Sequence, residues 1–177
     1  NFEDAIVHFK KAWDISKDDE MILWQGRAIK KIGSRENSDE KFKEAEAIFD
    51  SILKSTEYSG EAWLEKGNCN WNLNKYGVAE DCWLTASEII PKNASVWCNL
   101  GDIRSRDGSP NEALLFYEKS LLCDKSVENI DAWYGKAGAH RIAKQRSKAI
   151  ECYNEVLRLD NNFAGALLDK AVCYGYM

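Results

Sequence analysis

The stretch EAWLEKGNCNW, residues 61–71, returns in altered form as SVWCNLGDIRS, residues 95–105. Each holds a Trp and, one helical turn later, a Gly: Trp63 with Gly67, and Trp97 with Gly101. The two pairs stand 34 residues apart. Self-similarity at a fixed period of roughly 20–50 residues is the mark of a stacked repeat, in which each unit buries its apolar face only against its neighbours.

Frames opened at Gly60 and Ala94 keep matching along their length. Ala79 and Ala113 share position 20, Trp83 and Tyr117 share position 24, and Ala86 and Ser120 share position 27. After two extra residues a frame at Ile130 places Trp133, Ala149 and Tyr153 at positions 4, 20 and 24. Upstream, a frame at Asp19 puts Gly26, Ala28 and Gly33 at positions 8, 10 and 15. It then needs about seven added residues, within SRENSDEK, before Ala45 and Phe49 reach 20 and 24. At the ends, Ala5, Phe9 and Ala12 match positions 20, 24 and 27, while Ala171 and Tyr174 match 8 and 11.

This pattern resembles the tetratricopeptide (TPR) family over essentially the whole chain. The resemblance implies an all-α fold, an α-solenoid of antiparallel helix hairpins forming a right-handed superhelix. It divides one array into a half repeat (helix B) at 1–18, repeats at 19–59, 60–93, 94–129 and 130–163, and a half repeat (helix A) at 164–177. In that family the small residue at position 8 lets helix B approach at 20, and the aromatic at 4 fills the space beside it. Trp63 is therefore expected to be a core aromatic whose truncation costs about 3–5 kcal/mol. The insert around Ser34 to Lys41 is expected to be a mobile surface loop, since lengthening a loop costs only about 0.6 kcal/mol per doubling. Position 7, usually Leu, departs as Gln25, Lys66, Lys136 and Lys170, and position 8 is Ala137 and Ala171 in two units.

Local signals agree. In SPNE, Ser109 reads as an N-cap, Pro110 as the first helical residue and Glu112 as its capping-box partner. Pro91 ends another helix. Of 177 residues, 45% are apolar and 30% charged, with 2 Pro, which suits a helical array. A net charge of -5 argues against a nucleic-acid partner, which would require a basic face. No apolar run approaches the roughly 18 residues of a membrane span. The chain is expected to be cytoplasmic and, beginning at Asn1, to be a piece of a longer polypeptide.

Six cysteines form no CxxC and have only His8 and His140 to help them, so metal spacing is absent and no cofactor is expected. Cys69 and Cys173 share position 10, and Cys82 and Cys152 share position 23, which reads as helix-packing filler. His140 at position 11, like His8, reads as a partly buried structural histidine. No nucleophile–base set, carboxylate pair or phosphate loop appears, and the chain is not expected to be an enzyme in itself.

In a TPR solenoid, helix-A positions 2, 5, 9, 12 and 13 line the concave face. They name Leu64, Asn68, Trp71 and Asn72, then Cys98, Asp102 and Arg106, then Tyr134, Arg141 and Ile142 as a peptide groove, with Trp71 and Tyr134 as aromatic anchors. The carboxylate clamp by which co-chaperone TPR domains hold acidic tails would use Asn68 and Asn99, both present. Its three cations are replaced by Leu64, Asp131 and Gly135, and each lost charge-assisted bond is worth about 1.5–3 kcal/mol, so the clamp is rejected; Asn99 joins the peptide groove with Asn68, the pair being expected to bond a bound peptide's backbone. Three readings stand: a scaffold binding an extended peptide or helix of a protein partner, the substrate-recruiting arm of a larger enzyme, and a self-assembly module. For the last, apolar stripes on the end helices (Phe2, Ile6, Phe9 and Trp13; Leu167, Ala171 and Tyr174) would join copies head to tail.

Overall fold

The computed structural model describes residues 2–16, 19–56, 59–123 and 129–175, apart from the side chains of residues 2, 3, 12–16 and 19. Among the described residues it contains ten helices and no strand: α1 (Phe2–Ser16), α2 (Asp19–Glu36), α3 (Asp39–Ser55), α4 (Gly60–Asn72), α5 (Tyr76–Ile89), α6 (Ala94–Arg106), α7 (Pro110–Cys123), α8 (Ile130–Ile142), α9 (Arg146–Leu159) and α10 (Ala164–Gly175). They form two compact units, Asn1–Pro91 and Lys92–Met177. Within each unit a helix packs on the next in the chain. The A-type helices of successive hairpins also touch, α2 with α4 and α6 with α8. That second contact gives each unit a face built only of A helices.

The hairpins share one turn. Asn37, Asn74, Gly108 and Lys144 take positive φ, from 51° to 77°, directly after an A helix. The amide one residue further on returns to a carbonyl five residues back: Ser38 to Gly33, Lys75 to Asn70, Ser109 to Arg104, and Gln145 to His140. This is the Schellman closure, which satisfies carbonyls orphaned at a helix end and reverses the chain in two residues. The A helices then restart on side-chain caps. Ser59, Asn93 and Asn129 accept from the amides of Ala62, Ser95 and Ala132.

The same turn decides the fate of the insert, which is not a loop. Asn74 lies 14 residues after Gly60 and 5 before Ala79, whereas Asn37 lies 18 after Asp19 and 8 before Ala45. The added residues therefore lengthen α2 by four and α3 by three, about one helical turn each, and the hairpin closes further out with unchanged geometry. Because a whole turn nearly restores the angular phase, the lengthened helices still face each other. Ile32 and Phe42 bury themselves there, and Gly33 lets the Phe42 ring lie against its backbone.

Packing within hairpins also corrects an expectation. The large side chains with no exposure to speak of stand at position 24: Phe49, Trp83, Tyr117 and Tyr153. Each of the first three lies where the position-8 residue of its A helix has no side chain. A Cβ on Gly101 would fall 2.6 Å from the Tyr117 ring, one on Gly26 would fall 2.6 Å from Phe49, and Gly67 is crowded in the same way by Trp83. The position-4 tryptophans are only half-buried. Lys66 covers the Trp63 ring, and Trp97 stacks on Phe116 under Lys119. The recurring small residue thus makes room for the aromatic of the returning helix, and Trp63 is a surface plate rather than a core wedge.

Candidate functional site

In the first unit the A-helix face is closed by its own charges. Arg27 on α2 donates to Glu65 at 2.7 Å and to Glu61, both on α4, and Lys30 donates to Glu65 as well. Burial alone would push the Glu65 carboxyl up, but Lys30 and Arg27 outweigh it and hold its pKa below the ordinary value. The predicted groove residues of this unit are largely engaged. Leu64 is buried, and its carbonyl accepts from the Trp83 indole; Asn68 also accepts from that indole and donates to Glu65. Trp71 is half-buried, edge-on to Tyr76 at 5.1 Å and tilted against Trp83 at 5.7 Å. Asn72 is exposed and bonds the Asn68 carbonyl. Leu64 is therefore a core residue, which corrects its assignment to the groove.

The second unit is different. Between α6 and α8 lies a concave pocket of about 360 Å³. It gathers Cys98, Asn99, Asp102 and Tyr134 of the predicted groove and adds Asp131 and Asn129, with Ser95 and Gly135 also in its wall. Arg106 and Arg141 are exposed outside it. Asp102 accepts from the Tyr117 hydroxyl at 2.7 Å. Its carboxyl is nevertheless pushed up to about 6, chiefly by burial and further by Asp131, with the Tyr117 bond pulling the other way. Tyr117 is in turn raised by burial and by Asp102. The Tyr134 hydroxyl donates to Asp169 at 2.9 Å while its ring packs against Tyr153 and Phe163. Arg141 bonds Tyr153, which raises its own pKa.

Ser95 and Asp131 stand at repeat position 2, one of the concave positions, so register was the signal that could have named them. Asn129 precedes its frame and caps α8, and no pattern in the sequence marks it as pocket wall. Of the predicted end stripes, Leu167, Ala171 and Tyr174 are exposed on α10. Ile6 instead packs against the cluster around Ile29 and Phe49, so it belongs to the seam between α1 and its neighbours rather than to a free face. Phe9 is half-buried, and the side chains of Phe2 and Trp13 lie outside the described residues.

Five cysteines are buried and Cys123 is half-buried; burial pushes the Cys69 thiol up to about 12 and the Cys82 thiol to about 11. His140 is buried, pairs with the Gln145 side chain at 2.9 Å and is held below its ordinary pKa by burial. His8 is exposed on α1, against the expectation of partial burial. Among the described residues no helix is long and apolar enough to cross a membrane.

A family model described as tetratricopeptide repeat matches residues 94–125 and 130–163. A probable UDP-N-acetylglucosamine–peptide N-acetylglucosaminyltransferase SPINDLY of Arabidopsis thaliana is 32% identical over 88 residues, covering 50% of this chain and 10% of that protein. The Homo sapiens protein O-mannosyl-transferase TMTC3 is 23% identical over 182 residues, 97% of this chain and 20% of its own length. The chain thus spans only a small part of the curated relatives it matches. Among solved structures, YrrB, described as a TPR protein with an unusual peptide-binding site, superposes with a TM-score of 0.69 at 20% identity, covering 95% of this chain and 82% of YrrB. Residues 94–125 and 130–163 are thus tetratricopeptide repeats by the family model, and the same turn and the same small-to-aromatic packing run through the hairpins before them.

Proposed function

We propose that this chain is a protein-interaction module that holds an extended segment of a partner protein on the A-helix face of its second unit. The observation that carries the reading is the pocket between α6 and α8. It brings together side chains from two consecutive repeats that were selected by register alone, among them Asn99, Asp102 and Tyr134. Asn99 brings to this wall an amide of the kind that bonds a peptide backbone without regard to its sequence, and Tyr134 offers an aromatic edge. YrrB, of the same fold, is described as having a peptide-binding site, which supports the reading for a face of this kind.

A random peptide library displayed against the chain is expected to yield binders. Added to isotope-labelled protein, they should shift the amide resonances of α6 and α8 at the pocket and leave those of α7 and α9 little changed. Binders that map instead to the B helices, or to no surface in common, would contradict this.

A second reading follows from the relatives. Both the SPINDLY and TMTC3 proteins bear transferase names and exceed this chain several-fold in length. In that setting the module is the recruiting arm that presents a protein substrate to a catalytic domain elsewhere in the polypeptide, and the peptide face is the same. The self-assembly reading draws support from α10, where Leu167, Leu168 and Tyr174 are each at least half exposed. Under it, light scattering of the isolated chain should show mass rising with concentration, and Leu168→Asp should abolish the rise. A strict monomer throughout would end that reading.

A further inference from the structure

The repeat register makes the chain its own comparison. In the first unit, position 9 of one repeat and positions 2 and 6 of the next are Arg27, Glu61 and Glu65, and the guanidinium of Arg27 lies between the two carboxylates. In the second unit the same three places are Asp102, Asp131 and Gly135. The cation has become a carboxylate, one carboxylate is kept, and the other has given way to a glycine whose bare backbone lies against the Tyr117 ring. What results is the concavity of about 360 Å³ described above, and among the described residues lining it none is positively charged.

Resting on the proposed peptide face, we infer that this pocket takes the arginine side chain of a partner peptide, whose guanidinium lies between Asp102 and Asp131 as that of Arg27 lies between Glu65 and Glu61. The planar fork of a guanidinium suits this place better than an ammonium, because its N–H groups diverge toward acceptors on two helices at once. Asn99 and Ser95 add neutral acceptors around the same space. The arrangement is the converse of a carboxylate clamp: the array supplies the anions and the ligand supplies the cation.

The electrostatics agree with the geometry. Asp102 meets the Tyr117 hydroxyl from α7, Asp131 from α8 and the neutral Cys98 thiol from its own helix; burial and then Asp131 raise its pKa to about 6 against the pull of the Tyr117 hydrogen bond. A guanidinium between the acids favours the ionised form, so binding releases a proton below that value and weakens as the pH falls from 7.5 to 5.

The test uses N-acetyl-arginine methylamide, its neutral isostere N-acetyl-citrulline methylamide, and peptides selected from a random library. The arginine compound is expected to shift the amides of Asn99, Asp131 and Gly135 saturably at pH 7.5, and less so at pH 5. The citrulline compound is expected to leave them in place. Asp131→Asn, on an exposed residue, should weaken the arginine compound about tenfold, as should Asp102→Asn, whose amide can still accept from Tyr117. Equal shifts from both compounds, or indifference to both substitutions, would overturn the inference. Selected peptides that occupy α6 and α8 without an arginine would also overturn it while leaving the peptide face intact. Failure of any peptide to bind there would remove both.

Discussion

Replacing Trp83 with alanine is expected to cost about 3–5 kcal/mol, the largest single loss in the first unit. The indole is 2% exposed, lies over the bare backbone of Gly67, and donates its N–H to the Leu64 carbonyl and the Asn68 side chain. Truncation would open a cavity between α4 and α5 that Gly67 cannot help to fill, and would leave a buried carbonyl without its second partner. Trp63→Ala should behave differently, losing only about 1 kcal/mol, because that ring is a half-buried plate whose partner is a lysine. Urea unfolding followed by helical circular dichroism compares the two. Equal losses would mean that the division between position 24 and position 4 is mistaken.

Asp102→Asn is expected to do the opposite and stabilise the chain by about 1–3 kcal/mol at neutral pH. The Asp102 carboxyl titrates at 3.8 when unperturbed and at about 6 in the fold. Between those values the folded state holds more protons than the unfolded one. Stability conferred by the protonated form is present at low pH, declines as the pH rises through about 6, and is absent above it. The amide carries no charge to bury and keeps an oxygen for the Tyr117 hydroxyl, so the variant should show a flatter profile from about pH 4 to pH 7. Urea midpoints measured across that range decide the matter. A variant less stable than the parent at pH 7 would show that the carboxylate is held by partners that compensate its burial. A side chain that weakens its own fold at working pH is more easily understood as serving a ligand than as serving the core.

The period, the helix hairpins and their boundaries were legible because the small and aromatic residues that mark them recur at fixed positions. Which aromatic of a unit is buried was not. Trp63 and Trp83 are equally apolar, and only the direction in which Gly67 faces tells them apart. The nature of the insert was hidden for a related reason. SRENSDEK is polar enough to read as a loop, yet Arg35 and Glu36 extend one helix, Ser38 caps the next, and Asp39 and Glu40 open it, where a helix dipole favours acids. The pocket was half legible. Register named Asp102 and Tyr134, but its character depends on pairing position 9 of one repeat with position 2 of the following one, a relation that single-repeat reading does not examine. Asn99 was named for a clamp that the cations exclude, and it lines the pocket all the same.

The buried thiols have a practical consequence. Cys69 on α4, Cys82 on α5, Cys98 on α6, Cys152 on α9 and Cys173 on α10 are spread along the array, each inside the packing of its own region. A thiol reacts as its thiolate, and both shielding and the raised pKa values of Cys69 and Cys82 keep them from doing so while the helices stay docked. Alkylation under native conditions would therefore proceed at the rate at which each hairpin breathes. In a stack held together by nearest-neighbour contacts, the order in which these cysteines are labelled would be a record of where the array comes apart first.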